Sequence, residues 1–314
     1  MLERERVTVE RGVEASQPAA RLAAAPISWG VCEVPGWGRQ LPPDRVLSEM
    51  AGLGMTATEL GPLGWLPLDG AQARAELDRY GLRLVGGFVP LVVHRDGLGD
   101  TRDQARRAAA QLAASGGDVF VAALVADLDW SAPPTLDADG WKRVGAHLHE
   151  LAGLAAAEGL ELVLHPHVGT LAETAADVEQ ALAHTDVPWC FDSGHLLIGG
   201  VDPAAFVRDN ADRIGHVHLK DVDAGLAEDV RTGARSLVAA TQAGLFRPLG
   251  EGDARIEEVV RLLDEIGYER WLVLEQDIAI TGPEPPTGEG PALDVQRSIE
   301  YLSTRAPRRE VSHR

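Results

Sequence analysis

Short apolar runs alternate along the chain with longer amphipathic segments rich in Ala and Leu. Eight such runs stand out: LAAAPISWG near residue 25, ATELG near 59, RLVGGFVP near 87, DVFVAAL near 121, LELVLHPH near 164, VPWCFDSGH near 191, RIGHVHLKDV near 218 and WLVLEQD near 274. Each is brief and apolar, the pattern of a strand covered on both faces. After each comes a stretch with helical spacing: PPDRVLSEMAGLG, AQARAELDRYG, TRDQARRAAAQLAASGG, DGWKRVGAHLHELAGLAAAEG, ETAADVEQALAHT, DPAAFVRDNAD, DARIEEVVRLLDEIG and ALDVQRSIEYLS. Several start with a capping residue or proline and stop at glycine. In the segment around Trp141, Val144, Leu148, Leu151 and Ala155 fall on one face, with Asp139 near its start and Gly159 past its end.

Strand-helix units in series, with no linker or change of composition between them, predict one closed (β/α)8 barrel and not two domains. An open doubly wound sheet is the rival, but its dinucleotide-binding form needs G-x-G-x-x-G after the first strand, and no such motif follows PISWG. The stretch from Asp223 to Asp253, between the seventh strand and its helix, is long and carries an extra helical run, SLVAATQAGLF. Long loops on that side of a barrel tend to be functional.

The chain has 314 residues, with 48 acidic against 29 basic side chains and a formal charge of -19. That balance disfavours nucleic acid as a partner, since phosphate backbones are bound mainly by Lys and Arg. No run approaches the ~18 apolar residues of a membrane span, and the first twenty residues have no apolar core of a secretory signal. Cys32 and Cys190 are too few and too far apart for a disulfide framework or zinc finger; free thiols in a cytoplasmic protein are expected. Residues 1–20 and the basic residues 305–314 read as flexible tails around a barrel domain at 21–304.

In a barrel of this kind the active site lies at the carboxyl ends of the strands. Polar residues crowd there: Glu59, His165, His167, Asp192, His195, His218, Lys220, Glu275 and Asp277. Strand side chains alternate faces. Val163, His165 and His167 therefore share a face, as do Cys190, Asp192 and Gly194; His216, His218 and Lys220; and Val273, Glu275 and Asp277. One inward layer combines His165, Asp192, His218 and Glu275. Two imidazoles and two carboxylates suit Mn, Co, Zn or Fe(II), and Mg less readily; buried without a cation they would carry a large desolvation penalty. Trp29 and Trp65, at the mouths of the first two strands, are candidates for a stacking wall around a ring-shaped substrate, although core packing explains aromatics equally well. Gly86 and Gly87 leave room above the barrel floor, for a ligand or for a bend.

These residues resemble the sugar isomerase and epimerase group of xylose isomerase-like barrels, and within it the inosose dehydratases. The similarity covers about residues 22 to 280 and is carried by PISWG, ATELGPLGWLP, GGFVPLV, LVLHPHVGT, FDSGHLLIGGVDP, GHVHLKDV and WLVLEQD. It implies one divalent metal, usually Mn or Co, held by His165, Asp192, His218 and Glu275. Isomerases and epimerases of the group have glutamate where His165 stands, which favours dehydratase over epimerase and leaves His167 as an alternative ligand. The resemblance also implies a homo-oligomer acting on a small keto-cyclitol or keto-sugar.

The implied chemistry is removal of a proton beside a ketone, with the metal polarising the carbonyl, and then loss of the β-hydroxyl as water. His167 is the candidate base, as a group titrating near neutrality. Lys220 or Glu59 is the candidate to protonate the departing hydroxyl or orient the substrate, with His195 and Asp277 as further substrate-binding positions. An isomerase or epimerase using the same first step is the nearest rival. A non-catalytic polyol- or metal-binding subunit is the reading from another class.

Overall fold

The computed structural model of the chain describes residues 21–34 and 36–305. Its strands are β1 (Leu22–Ala24), β2 (Ala57–Glu59), β3 (Arg83–Leu91), β4 (Val119–Leu124), β5 (Glu161–His165), β6 (Trp189–Asp192), β7 (Ile214–Leu219), β8 (Asp221–Val222), β9 (Phe246–Arg247) and β10 (Leu272–Leu274). All but β8 and β9 close into one parallel barrel, β1 pairing with both β2 and β10. Every apolar run in the alternating pattern supplies one barrel strand. Register then sets the site: His165 lies opposite Ala123, and His218 lies opposite both Asp192 and Val273. Beneath them the barrel is filled by small and branched side chains, including Ala23, Ala57, Val85 and Val273 in one cluster and Val121, Val163 and Cys190 in another.

Helices α1 (Pro43–Gly52), α2 (Gly70–Asp78), α3 (Asp100–Ala114), α4 (Ala138–Ala157) and α5 (Ala175–His184) follow the first five strands. In α4 the expected face of Val144, Leu148, Leu151 and Ala155 is buried, and the cap is Asp137, which accepts from Gly140 N at 2.8 Å. After β6 come two helices, α6 (Ser193–Ile198) and α7 (Pro203–Asp209). The insertion after β7 holds the antiparallel pair β8–β9 with α8 (Ala224–Arg231) and α9 (Leu237–Gln242) between them; α10 (Ile256–Glu265) and α11 (Pro291–Arg305) complete the ring.

Three local expectations are corrected. The sixth strand stops at Asp192, whose Oδ1 accepts from Gly194 N at 2.9 Å and His195 N at 2.8 Å and so starts α6; Gly194 is helical and shares no strand face with Cys190. The extra helical run shrinks to α9, with Phe246 in β9, and α8 precedes it. Gly86 and Gly87 leave no free space, because added Cβ atoms would fall 2.7 Å from Val119 O and 2.8 Å from Leu112 Cδ2. They let β4 and α3 close on β3. The expected tails lie outside the described residues except for Arg305, which ends α11. Cys32 and Cys190 are free. No helix among the described residues is long and apolar enough to cross a membrane.

Candidate metal centre and active site

His165 ends β5, Asp192 ends β6, His218 is the last residue but one of β7, and Glu275 directly follows β10. One donor atom from each converges so that all four lie within 4.8 Å of one another. His165 Nε2 is 3.3 Å and His218 Nδ1 3.6 Å from Asp192 Oδ2, and His218 Nδ1 is 2.9 Å from Glu275 Oε2. Asp192 divides its labour, one oxygen capping α6 and the other facing the two imidazoles. Burial works against its charge, but Lys220 and His195 hold its pKa well below the usual carboxylate range. Glu275 is likewise opposed by burial and brought to about 2 by His218 and Lys220.

The cluster fits a divalent cation. His218 Nδ1 and Glu275 Oε2 are buried and face each other at 2.9 Å without hydrogen-bond geometry between them, and Lys220 Nζ stands 2.9 Å from the same oxygen. Buried polar atoms without partners are costly. Two nitrogen and two anionic oxygen donors converging on one point are a set that a borderline divalent metal satisfies.

Around this centre one ammonium faces three carboxylates. Lys220 Nζ lies 2.9 Å from Glu275 Oε2, 2.9 Å from Asp277 Oδ1 and 3.5 Å from Asp192 Oδ2, and it donates to His195 Nε2 at 3.0 Å. Burial opposes its charge, but these carboxylates raise its pKa well above that of an ordinary lysine. Asp277 is raised to about 6, by burial and by Glu275, against the pull of Lys220. His167 donates from Nδ1 to Val168 O at 2.7 Å, which leaves Nε2 with the lone pair. Burial, with His165 and Lys220 beside it, pulls its pKa to about 3, so the expectation that it titrates near neutrality does not hold here. On the far side of His218, Glu59 Oε1 accepts from His216 Nε2 at 2.8 Å and His218 Nε2 at 3.0 Å. Burial favours protonation of Glu59, but these imidazoles hold its pKa well below the normal range.

A cavity of ≈ 570 Å³ opens above the centre, with Glu59, His165, His167, Lys220, Glu275 and Asp277 on its wall. His195 is not on that wall; it is buried behind Lys220, its ring 3.9 Å from that of His167. Trp29 and Trp65 are not on it either. Trp29 is fully buried and its indole donates to Glu49 Oε2 at 2.8 Å, while Trp65 donates to Leu41 O at 3.0 Å. The aromatic wall is instead Phe88, Trp130 and Trp37, none of them singled out from the sequence. Phe88 and Trp130 stack with centroids 6.2 Å apart and planes 9° from parallel. Trp130 has φ +60°, an uncommon left-handed backbone for a bulky residue, in a turn whose Asp127 Oδ1 accepts from Asp129 N and Ser131 N at 3.1 Å. A tryptophan in the loop after a barrel strand is the signal that would have found it.

A family model described as a xylose isomerase-like TIM barrel matches residues 47–303. The chain belongs to that family. Within it the chain falls among the inosose dehydratases. It is 34% identical to the inosose dehydratase of Geobacillus kaustophilus (strain HTA426), over 84% of this chain and 90% of the relative. The rhizopine catabolism protein MocC of Rhizobium meliloti is 32% identical over 82% of this chain and 81% of its own. Solved structures agree in fold. The IOLI protein crystallised with a zinc atom superposes with a TM-score of 0.67 at 13% identity, covering 92% of this chain and 99% of its own. The probable 3-DHS dehydratase AsbF from Bacillus anthracis gives 0.66 at 13% identity, covering 90% and 98%.

Proposed function

We propose that this member of the inosose dehydratase branch is a metal-dependent carbon-oxygen lyase that removes water from a keto-cyclitol such as 2-keto-myo-inositol. The observation that carries the reading is the convergence of His165, Asp192, His218 and Glu275 beneath a cavity that His167 and Lys220 also line. These four would hold the metal, with Mn or Co the assignment taken from the family resemblance. When bound, the metal supplies Lewis acidity that makes the hydrogen beside the ketone acidic and stabilises the developing negative charge.

The chain's own groups do the rest. His167 Nε2 takes the α-proton, its ring held by the bond from Nδ1 to Val168 O. The same imidazolium returns its proton to the β-hydroxyl as the carbon-oxygen bond breaks. Water leaves, and the enol that remains becomes a 1,2-dione. Lys220, locked between Glu275 and Asp277, keeps its charge and supports the oxyanion without giving up a proton. The wall carries Glu33, Glu59, Glu173, Glu275 and Asp277 against Lys220 and Arg235, a balance that favours an uncharged polyol over a phosphorylated or carboxylated sugar. Phe88 and Trp130 offer a flat apolar face to the C–H side of its ring.

The test is an absorbance assay for dione formation from 2-keto-myo-inositol, with metal-stripped protein resupplied with Mn or Co. We expect metal-dependent turnover that His167→Ala lowers by about 100-fold or more. Exchange of the α-proton into heavy water with no dione formed would place the chain with the epimerases instead.

A further inference from the structure

Glu59 lies at the end of β2 and His218 on β7, across the barrel from each other, and the contact between them is buried. His216 and His218 are two residues apart on β7 and project inward together. Both present Nε2 to a single oxygen, Glu59 Oε1, at 2.8 and 3.0 Å. A carboxylate can only accept, so each ring must carry its proton on Nε2. For His218 this decides which nitrogen meets the metal centre: Nδ1, 2.9 Å from Glu275 Oε2 and 3.6 Å from Asp192 Oδ2, is the atom left facing the cluster. A cation bound between this nitrogen and the two carboxylate oxygens would take the place of a proton there.

We propose that Glu59 is a positioning residue for the metal: by accepting the Nε2 proton of His218 it fixes the ring's tautomer and rotation and presents Nδ1 to the cation, while His216 holds Glu59 in place. The inference rests on the metal-site reading above. A carboxylate behind a ligating imidazole raises its basicity and sets its orientation, and loss of such a partner typically costs 10- to 100-fold in metal affinity. His216, which shares a face with His218, is thereby assigned as an anchor and not as a further ligand.

Two measurements test this, neither of which reads turnover. In the unmutated full chain with 15N-labelled histidine and Zn(II) bound, ring NMR should show His218 protonated at Nε2 and metallated at Nδ1; the opposite arrangement would overturn the proposal. Calorimetric titration of metal-stripped protein with Co(II) should show Glu59→Gln weakened roughly 10- to 100-fold and His216→Phe weakened less, in the same direction. Affinity of Glu59→Gln within twofold of the unmutated chain would overturn it. Failure of the unmutated chain to take up Co(II) or Zn(II) would instead remove the metal-site reading on which the proposal stands.

Discussion

Lys220 passes its aliphatic stem over Gly194 before its ammonium reaches Glu275 and Asp277. A Cβ at position 194 would sit 2.6 Å from Lys220 Cγ and 2.8 Å from Cδ, too close to be accepted without moving the lysine. Gly194→Ala should therefore lower kcat by at least about tenfold while costing about 1–3 kcal/mol of stability; kinetics beside a urea melt separate the two, and an unchanged kcat would take Lys220 out of the mechanism. Cys32 offers a pH-dependent test. It lines the cavity, but burial pushes its thiol up to about 12. A raised thiol pKa means less thiolate at any given pH, so carboxamidomethylation at pH 8, followed by mass spectrometry, should be far slower than for an ordinary cysteine near 8.5. Rapid modification at pH 8 would contradict that environment. Single residues were also where sequence reading slipped. Trp29 follows β1 in a one-turn 3-10 helix at Pro26–Trp29, where strand alternation no longer governs direction, and its ring turns outward to Glu49 on α1. Trp130 and Trp37 reach the cavity from loops, where no periodicity announces direction.

At the scale of elements, the barrel strands were legible because each is a short apolar run, and the convergence of His165, Asp192, His218 and Glu275 because alternation within those runs carries to their ends. Of the short helices, α6 and α8 were not legible, and α9 was legible only as part of the longer run SLVAATQAGLF. α6, α8 and α9 begin where Asp192, Asp223 and Ser236 cap backbone N–H groups that have no partner within the helix, and one or two turns leave little room for a hydrophobic period. Asp221 does comparable work for the insertion after β7. Its Oδ2 accepts from Gly250 N at 2.8 Å and Gly252 N at 3.1 Å, and its Oδ1 from Ala254 N at 2.9 Å and Val222 N at 3.1 Å. An asparagine has one acceptor oxygen and turns an amide donor toward the remaining N–H groups. Asp221→Asn should cost about 1–3 kcal/mol for the donors it leaves unmatched, read as a lower urea midpoint at unchanged slope. A midpoint within error of the parent would mean that the loop is held elsewhere.

For the whole molecule, the candidate metal ligands come from β5, β6 and β7 and from the segment after β10, so a bound cation would join strands distant in sequence. The segment after β10 is itself tied across the barrel mouth: Ile278 O accepts from Trp37 Nε1 at 2.8 Å, Ile280 O from Arg39 N at 2.9 Å, and Gly288 N donates to Glu49 Oε1 at 2.7 Å. A cation that binds only the folded chain should raise its stability by roughly 2.7 kcal/mol at 100 times its Kd. Thermal melts should show this as an upward shift of Tm with Mn or Co, reversed by chelator; an unchanged Tm would contradict a preformed site. The most direct measurement is a titration of metal-stripped protein with Co(II) while dione formation from 2-keto-myo-inositol is followed. We expect the rate to rise linearly and break at one equivalent per chain. Full turnover before any metal is added, or none at saturation, would contradict the account.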